Sequence, residues 1–384
     1  MIYFDNAATT FPKPTAVYRG CEEAMYKFGA NPGRSGHKFS METAEMVFTA
    51  REAVADFFNT NDVENVIFTL NCTMSINMVL KGLLKKGDHV VISNLEHNAV
   101  TRPIYRLKKD SIINYSIARV EEGKREKTVL NFKNAMRPNT RLVVCTHASN
   151  VFGIKLPIKE IGALCKSRGV LFMVDAAQTA GIVPIDIKSD GIDFLCVAAH
   201  KGLYAPMGTG ILVAEKANAL KTIIEGGTGS LSSDFNQPET VPDKFESGTL
   251  NVVGIAGILY GINTVKRIGI NTISLHEFEI VKNVYKRLKS NPQIELYTSF
   301  PDEMYHVPVL SFNIKGMDSG EVTSLLSEKG FALRGGLHCA PLAHIAKGTE
   351  KKGTVRLCPS MFNTLNDSNK LCDAIFSVSK GKKL

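Results

Sequence analysis

The chain has 384 residues, of which 44% are hydrophobic and 22% are charged, and its formal net charge is +9. This length favours two domains, and the composition is typical of a globular protein. The basic residues are scattered and are not interleaved with aromatic side chains, which argues against a nucleic-acid partner. The longest apolar stretch, residues 252–262, is shorter than the roughly 20 residues of a membrane-spanning helix, so we expect no membrane partner.

The eight cysteines include no C-x-x-C pair, and most of them lie inside apolar runs. Reduced core thiols have this distribution. The first six residues show no basic region followed by an apolar region, so no signal peptide is predicted. We therefore expect a reducing, cytoplasmic location without a disulfide framework.

From about residue 65 onward, strand-like and helix-like runs alternate. The predicted elements, in chain order, are strand 66–70, helix 73–85, strand 89–93, helix 99–108, strand 114–120, helix 128–136, strand 142–147, helix 158–168, and strands 170–175, 194–199 and 210–214. Such alternation predicts an α/β fold with a mostly parallel sheet covered by helices on both faces.

Beyond this region the order of the elements changes. After a long helix at 252–267, the predicted elements are helix 276–290, strand 309–312, helix 320–329, strands 332–334 and 355–357, and helix 367–380. We predict a large domain of residues 15–255. Residues 1–14 and 256–384 are predicted to form a smaller α+β domain.

Two of the apolar strands end in residues that suit a cofactor site. Asp175 closes one strand, and His200 and Lys201 follow another. Ligands of open α/β sheets bind at such strand ends. A lysine there can form an imine, and an aspartate can hold a protonated pyridine nitrogen, as a pyridoxal phosphate site requires. Taken singly, each residue is more often a cap or a solvated side chain.

Two further segments follow strands. Thr73 lies where a helix begins, and a helix N-terminus with a hydroxyl can bind phosphate, although threonine is also an ordinary capping residue. His97 could stack on a planar ring or could be a surface histidine. No G-x-G-x-x-G follows a strand, and neither a P-loop nor H-E-x-x-H occurs, so these motifs give no support to a dinucleotide or zinc-protease site.

Cys339 lies in a glycine- and proline-marked loop rather than in an apolar run. The nearby Arg334 and His338 can lower the pKa of its thiol, and the thiolate is the reactive form. An inert loop cysteine and a metal cluster with His344 are the competing interpretations, but the latter lacks a second ligand pair. Arg356 could clamp a carboxylate, or it could be a plain surface arginine.

Together these segments resemble the class V aminotransferase family of fold-type I pyridoxal phosphate enzymes. Within that family the chain is similar to cysteine desulfurases of the second group, which includes selenocysteine lyase-like proteins. The resemblance starts at Tyr3 and covers nearly the whole chain, and its strongest matches are residues 174–178, 199–201 and 334–339. Three positions depart from the pattern: Ala198-Ala199 replaces Ser-Gly, Leu337 replaces a histidine found in many members, and Cys72 replaces a hydroxyl residue.

The resemblance implies a role for each candidate residue. The implied catalytic residues are Lys201, His97 and Cys339. The implied substrate-binding residues are Asn150, Arg334 and Arg356. The implied cofactor-binding residues are Cys72, Thr73, His97, Asp175, Gln178, His200, Lys201 and, reaching the site from the second subunit of a homodimer, Thr249. No metal is implied.

The implied reaction converts L-cysteine to L-alanine and leaves a persulfide on Cys339. The sulfur then passes to an unidentified acceptor protein, as in iron–sulfur cluster assembly. L-selenocysteine as substrate, transamination and racemisation are the alternatives within the resemblance. A non-catalytic scaffold that binds pyridoxal phosphate or carries sulfur is an alternative of a different class.

Overall fold

The computed structural model describes residues 1–33 and 36–381. Its strands are β1 (Ile2–Tyr3), β2 (Val66–Thr69), β3 (Asp88–Ser93), β4 (Ile113–Ala118), β5 (Thr140–Thr146), β6 (Leu171–Asp175), β7 (Phe194–Ala198), β8 (Gly210–Ala214), β9 (Ile294–Leu296), β10 (Leu310–Ile314), β11 (Phe331–Ala332), β12 (Arg334–Gly336) and β13 (Thr354–Leu357). Its α-helices are α1 (Thr15–Lys27), α2 (Lys38–Phe58), α3 (Cys72–Leu83), α4 (Asn98–Lys109), α5 (Arg125–Ala135), α6 (Ile158–Arg168), α7 (Ile187–Asp190), α8 (Val252–Ile268), α9 (Ile270–Lys289), α10 (Ser319–Glu328), α11 (Pro341–Lys347) and α12 (Leu365–Lys380).

The central sheet has seven strands in the order β2-β8-β7-β6-β5-β3-β4. Only β8 runs antiparallel to its neighbours β2 and β7. Strands β7 and β8 are buried along their whole length, because helices cover both faces of the sheet. The predicted α/β fold with a mostly parallel sheet is thus confirmed.

The strand order of this sheet reverses between β3 and β5. From β3 the chain moves outward to β4, then returns to the other side of β3 with β5 and continues through β6 and β7. At such a reversal, the connections that leave the carboxyl ends of the two strands diverge and leave a crevice. The fold therefore places a binding site at the carboxyl ends of β3 and β5.

Helices α1, α2 and α8 pack together against the large core. The sequence pattern predicts no helix before residue 65, so α1 and α2 are features that only the structure reveals. The predicted domain boundary at residue 255 falls inside α8, whose Ile258 and Ile262 lie in the same core as Val91 of β3. The division into two domains stays a prediction, and α8 packs as one unit with the larger part.

The smaller part is built on an antiparallel sheet in the order β12-β13-β10-β9. Strand β1 pairs in parallel with β11, and Phe4 lies in the core of this part. The predicted strand 332–334 is instead two strands, since β11 pairs with β1 whereas β12 pairs with β13. Among the described residues, no helix is long and apolar enough to cross a bilayer.

The predicted helix 276–290 begins earlier than expected, at Ile270. Only Gly269 separates it from α8, and this glycine has a φ of +93°. That backbone conformation is left-handed and suits glycine, so the chain turns between α8 and α9 without a loop.

Candidate active site

A cleft opens at the carboxyl ends of the central strands. Ten of the twelve predicted site residues line it, namely Cys72, Thr73, His97, Asn150, Asp175, Gln178, His200, Lys201, Arg334 and Arg356. The other two, Cys339 and Thr249, are not among its lining residues. The structure thus brings together residues that lie as far apart in the chain as positions 72 and 356.

Asp175 ends β6 and is only 3% exposed. Its Oδ1 accepts hydrogen bonds from the backbone N–H of Ala177 at 2.9 Å and from the thiol of Cys72 at 3.5 Å. Burial, followed by the proximity of Asp175, raises the pKa of Cys72 well above its usual value. Cys72 is therefore a neutral thiol that donates to Asp175, which explains how a cysteine is accommodated at this departure from the family pattern.

Lys201 lies three residues beyond the end of β7, and its backbone N–H donates to the carbonyl of Ala198 at 3.2 Å. Burial lowers the pKa of its side-chain amine, whereas the nearby Asp175 raises it and Arg356 lowers it further. The net effect is a lower pKa, which favours a neutral amine that can act as a nucleophile or a base.

His97 caps the N-terminus of α4. Its Nδ1 accepts a hydrogen bond from the backbone N–H of Ala99 at 3.0 Å, which places the proton of the neutral ring on Nε2. Burial lowers the pKa of this imidazole, so the neutral ring is favoured and Nε2 is its only N–H donor.

Glu96 is a fully buried carboxyl next to His97, and the sequence-based interpretation gave it no role. Its Oε1 accepts hydrogen bonds from Ser93 and, at 2.9 Å, from the backbone N–H of Thr146. Its Oε2 has no hydrogen-bond partner among the described residues. Burial raises the pKa of Glu96 to about 8. Glu96 thus links the ends of β3 and β5 by hydrogen bonds. Its carboxyl is largely protonated at neutral pH.

We expect Glu96 to make the protein less stable as the pH rises. Because its pKa is about 8 when folded and lower when unfolded, the folded state binds more protons, and stability is lost between about pH 4.5 and 8. In urea titrations, the free energy of unfolding of the wild type should fall across this window by roughly 3–5 kcal/mol relative to Glu96→Gln. Parallel pH profiles for the two proteins would contradict this prediction.

The start of α3 forms one end of the cleft. Asn71 caps this helix by accepting the backbone N–H of Met74 at 2.9 Å, and Thr73 is exposed in its first turn. A Cβ at Gly210 would lie 2.4 Å from the backbone of Asn71. The glycine therefore lets β8 approach the turn, whose free N–H groups and hydroxyl suit a phosphate.

His200 lies beside this end of the cleft. Its Nδ1 is 3.0 Å from the hydroxyl of Thr9. Burial, followed by repulsion from Lys201 and Lys13, lowers its pKa to about 4. His200 is therefore neutral at physiological pH and can offer a phosphate a hydrogen bond but no positive charge.

The side-chain amide of Gln178, another residue that lines the cleft, donates to the carbonyl of Ala7 at 3.1 Å.

Arg356 lies on β13 and is 1% exposed. It donates from Nη2 to Asp5 Oδ1 at 2.6 Å and from Nη1 to the carbonyl of Asn150 at 3.0 Å, while its Nε has no partner among the described residues. Arg334 stands opposite Arg356 on the neighbouring strand β12. The two arginines give this wall of the cleft a positive charge that suits a carboxylate.

The loop that carries Cys339 is held by hydrogen bonds to three other segments. The Cys339 carbonyl accepts the backbone N–H of Asn98 at 2.7 Å. The His338 carbonyl accepts the side-chain amide of Asn150 at 2.7 Å, and His338 Nε2 donates to the carbonyl of Thr354 at 2.9 Å. Both loop residues have positive φ angles, +48° for His338 and +57° for Cys339. The backbone is thus pinned while the Cys339 side chain stays exposed.

The family model described as Aminotransferase class-V matches residues 2–371. The chain belongs to the class V aminotransferase family.

Individual class V relatives are similar along almost their whole length. A "Probable cysteine desulfurase" of Methanothermobacter thermautotrophicus is 34% identical, with 98% of this chain and 94% of that protein covered. A "Probable cysteine desulfurase" of Pyrococcus abyssi is 32% identical, with 96% and 91% covered. The apo structure of cysteine desulfurase from Thermococcus onnurineus superimposes with a TM-score of 0.92 at 30% identity, covering 99% and 95% of the two chains.

Class V enzymes depend on pyridoxal phosphate and have the fold-type I architecture seen here. The polar groups of the cleft fit this cofactor, because a carboxylate, a lysine of lowered pKa and a helix N-terminus face one space. The buried Nδ1 atom of His338 has no hydrogen-bond partner among the described residues. It therefore adds a hydrogen-bond acceptor to the lining of the cleft. Among the residues that the structure describes, no three His, Cys, Asp or Glu side chains are grouped to hold a metal.

Three acidic residues near the class V site escaped the sequence-based interpretation: Asp5, Glu96 and Glu277. Asp5 lies within the N-terminal segment that carried the resemblance, but its contact with Arg356 spans 351 positions. Glu277 interrupts an apolar helical stripe that includes Ile273 and Ile280. A charged residue on the buried face of an amphipathic helix is a signal that could have identified it.

Proposed function

We propose that this class V enzyme is a cysteine desulfurase that removes sulfur from L-cysteine, releases L-alanine and stores the sulfur as a persulfide on Cys339. The observation that carries the proposal is a pinned loop with an exposed thiol beside a cleft that holds Lys201, Asp175 and Arg356. The relatives named above as cysteine desulfurases support it.

The bound cofactor supplies an electron sink for the carbanion at the α carbon of the substrate. Asp175 would hold the pyridine nitrogen of the cofactor, Lys201 would anchor it, and His97 would stack on its ring. Thr73 and His200 would hold the phosphate, with Cys72 beside them, and Gln178 would bond the phenolic oxygen. Lys201 Nζ, once the substrate has displaced it, would take the α proton, since burial favours its neutral amine.

In the sulfur step, the Cys339 thiolate attacks the sulfur of the substrate. A sulfur–sulfur bond forms while the bond between the β carbon and sulfur breaks, and its electron pair stays with the three-carbon product. Two protons complete alanine: the α proton held by Lys201 and the proton that Cys339 lost on becoming a thiolate, which His97 would carry. The outer sulfur of the persulfide then passes to an acceptor by thiol exchange, which an exposed Cys339 permits.

The substrate carboxylate would bind Arg356 and Asn150, with Arg334 adding positive charge. Asp5 positions Arg356 through the 2.6 Å hydrogen bond. We expect Asp5→Ala to raise KM for L-cysteine about tenfold with little change in kcat, because a charge-assisted hydrogen bond contributes about 1.5–3 kcal/mol. Steady-state kinetics would show this, with Tyr3→Phe as a control that removes only hydrogen bonds to the backbone carbonyls of Asp5 and Thr9. An unchanged KM would contradict the positioning role.

The proposal includes a homodimer in which Thr249 completes the phosphate site of the second subunit. Within one chain, Thr249 is exposed and lies apart from the cleft, 3.5 Å from the side chain of Asn31. The exposed Met25, Tyr26 and Phe39 of the N-terminal helices supply an apolar surface suited to a second copy. Light scattering at twice the monomer mass is the expected result, and a monomer that binds the cofactor tightly would contradict it.

The proposed setting is a reducing cytoplasm, where Cys339 stays a thiol between turnovers. The proposed sulfur acceptor is a protein such as one of iron–sulfur cluster assembly.

The test of the function is incubation of the purified protein with L-cysteine and pyridoxal phosphate. Alanine and sulfide should form in equal amounts when a thiol reductant releases the sulfur. Pyruvate or D-cysteine without sulfide would contradict the proposal. L-selenocysteine as a parallel substrate measures the preference between sulfur and selenium.

A further inference from the structure

A second, smaller cavity adjoins Lys201. Its volume is about 30 Å³, enough for one or two water molecules, since a single water needs roughly 10–15 Å³. Lys201, Ala177 and Gln178 line both this cavity and the cleft. These three residues therefore form the wall between the two spaces. We call the smaller one the rear cavity.

Glu277 of α9 reaches the rear cavity from the small part of the protein. It is 2% exposed, and among the described residues its carboxyl has neither a hydrogen-bond partner nor an ion-pair partner. Burial raises its pKa well above the usual value. Besides Lys201, which lines the same cavity, Tyr204 and Cys358 lie near Glu277. Burial raises the pKa of both, with Glu277 as the second cause. Neither carries a positive charge that could hold a carboxylate.

A buried carboxyl without a partner costs free energy that a bound water can offset. The rear cavity offers such a water polar partners in Lys201 and Gln178, which line it together with Glu277. Asn6 and Thr10 also line it, but their side chains already hydrogen-bond other residues. A protonated carboxyl also differs from every other group there, since it can accept a proton on one oxygen while it donates one from the other.

We propose that Glu277 exchanges protons with Lys201 Nζ through water held in the rear cavity. When Nζ has taken the α proton of the substrate, the ammonium gives one proton to the water. That water passes a proton to the carbonyl oxygen of Glu277, and the hydroxyl of Glu277 returns its own proton by the same route. No net charge moves, and the α proton of the substrate is exchanged for a proton of the water or of Glu277. This inference rests on the role of Lys201 in the proposed function.

The test follows the fate of the α hydrogen. L-cysteine deuterated at the α carbon is converted in ordinary water, and the deuterium in alanine is measured by mass spectrometry. The wild type should retain only about one sixth, the share of one deuterium among the six protons of the ammonium, one water and Glu277. Glu277→Gln, which keeps the size of the side chain but cannot relay a proton, should raise retention towards about one third, the share of one deuterium among the three protons of an ammonium.

Two matched variants separate proton exchange from packing. Ile182→Val alters the wall of the rear cavity without touching a titratable group and should leave retention at the wild-type level. Val309→Ile keeps Glu277 but fills the cavity, and it should raise retention as Glu277→Gln does. The Val309→Ile result also decides the question if Glu277→Gln does not fold.

A second readout needs no turnover. In the cofactor-free protein, the pH dependence of reductive methylation of Lys201 reports the ionisation of Nζ. Because the water links Nζ to Glu277, replacing Glu277 changes the hydrogen bonding of the amine. The midpoint for Lys201 should therefore differ between the wild type and Glu277→Gln by about half a pH unit or more.

Equal deuterium retention in the wild type and Glu277→Gln, with identical pH midpoints, would overturn the inference. So would retention that depends on the concentration of potassium or sodium, because Glu277 would then be a carboxylate that binds a cation. If the wild type forms no alanine and sulfide at all, the proposed function fails. If it turns over normally and only the isotope result is negative, the role of Glu277 alone fails.

Discussion

Lys201→Ala should lower kcat for L-cysteine by at least about 10²–10⁴-fold, the scale of a lost general base, and should also remove the covalent anchor of the cofactor. The absorption band of the bound cofactor should change, and borohydride reduction should no longer attach the cofactor to the peptide containing position 201. Lys155→Ala is the matched control, because burial also lowers the pKa of Lys155 outside the cleft. Turnover that survives in Lys201→Ala would contradict the assigned site.

Cys339→Ala should lower alanine formation from L-cysteine by roughly 10³-fold or more, as expected when the attacking nucleophile is lost. Cofactor binding should be unchanged, because Cys339 does not line the cleft. Alanine release and persulfide on the protein, detected by mass spectrometry, are the measurements.

Cys21→Ala is the control for Cys339→Ala, since Cys21 is a partly exposed thiol away from the loop. Full activity of Cys339→Ala on L-cysteine would rule out the persulfide mechanism. Activity retained on L-selenocysteine alone would indicate that the thiol is needed only for sulfur.

The central sheet and the candidate binding residues at its strand ends could be predicted because the sequence patterns that indicate them are local. Strands β6 and β7 are nearly continuous apolar runs; Asp175 ends β6, and Lys201 lies three residues beyond the end of β7. The parallel arrangement then brings their side chains to one edge of the sheet without further information. The same logic placed Thr73 and His97 at the cleft.

The helices α1 and α2 could not be predicted in the same way. Their apolar residues are not confined to one face, since Tyr26 and Phe39 are exposed, and this weakens the helical period. In the proposed homodimer the other subunit would cover this second apolar face. Apolar residues on more than one face thus obscure the helical pattern of the isolated chain.

The contacts of Asp5 and Glu277 could not be predicted because they arise from tertiary packing. Asp5 meets Arg356 only when β1 joins the small part, and Glu277 reaches Lys201 only through the rear cavity. Neither pair has a fixed spacing in the sequence. The apolar stripe around Glu277 could have marked a buried acidic residue on α9, but not the space that it faces.

The anchoring of the Cys339 loop has a consequence for protein engineering. Two backbone carbonyls and the His338 ring of this loop bond to Asn98, Asn150 and Thr354, which belong to three separate segments. The reactive loop therefore cannot be transferred to another protein on its own. A loop grafted into this protein from another desulfurase would keep its geometry only if it presented two carbonyls and a ring N–H at the same points. Conversely, this loop would keep its geometry in another protein only if all three of its hydrogen-bond partners were transferred with it.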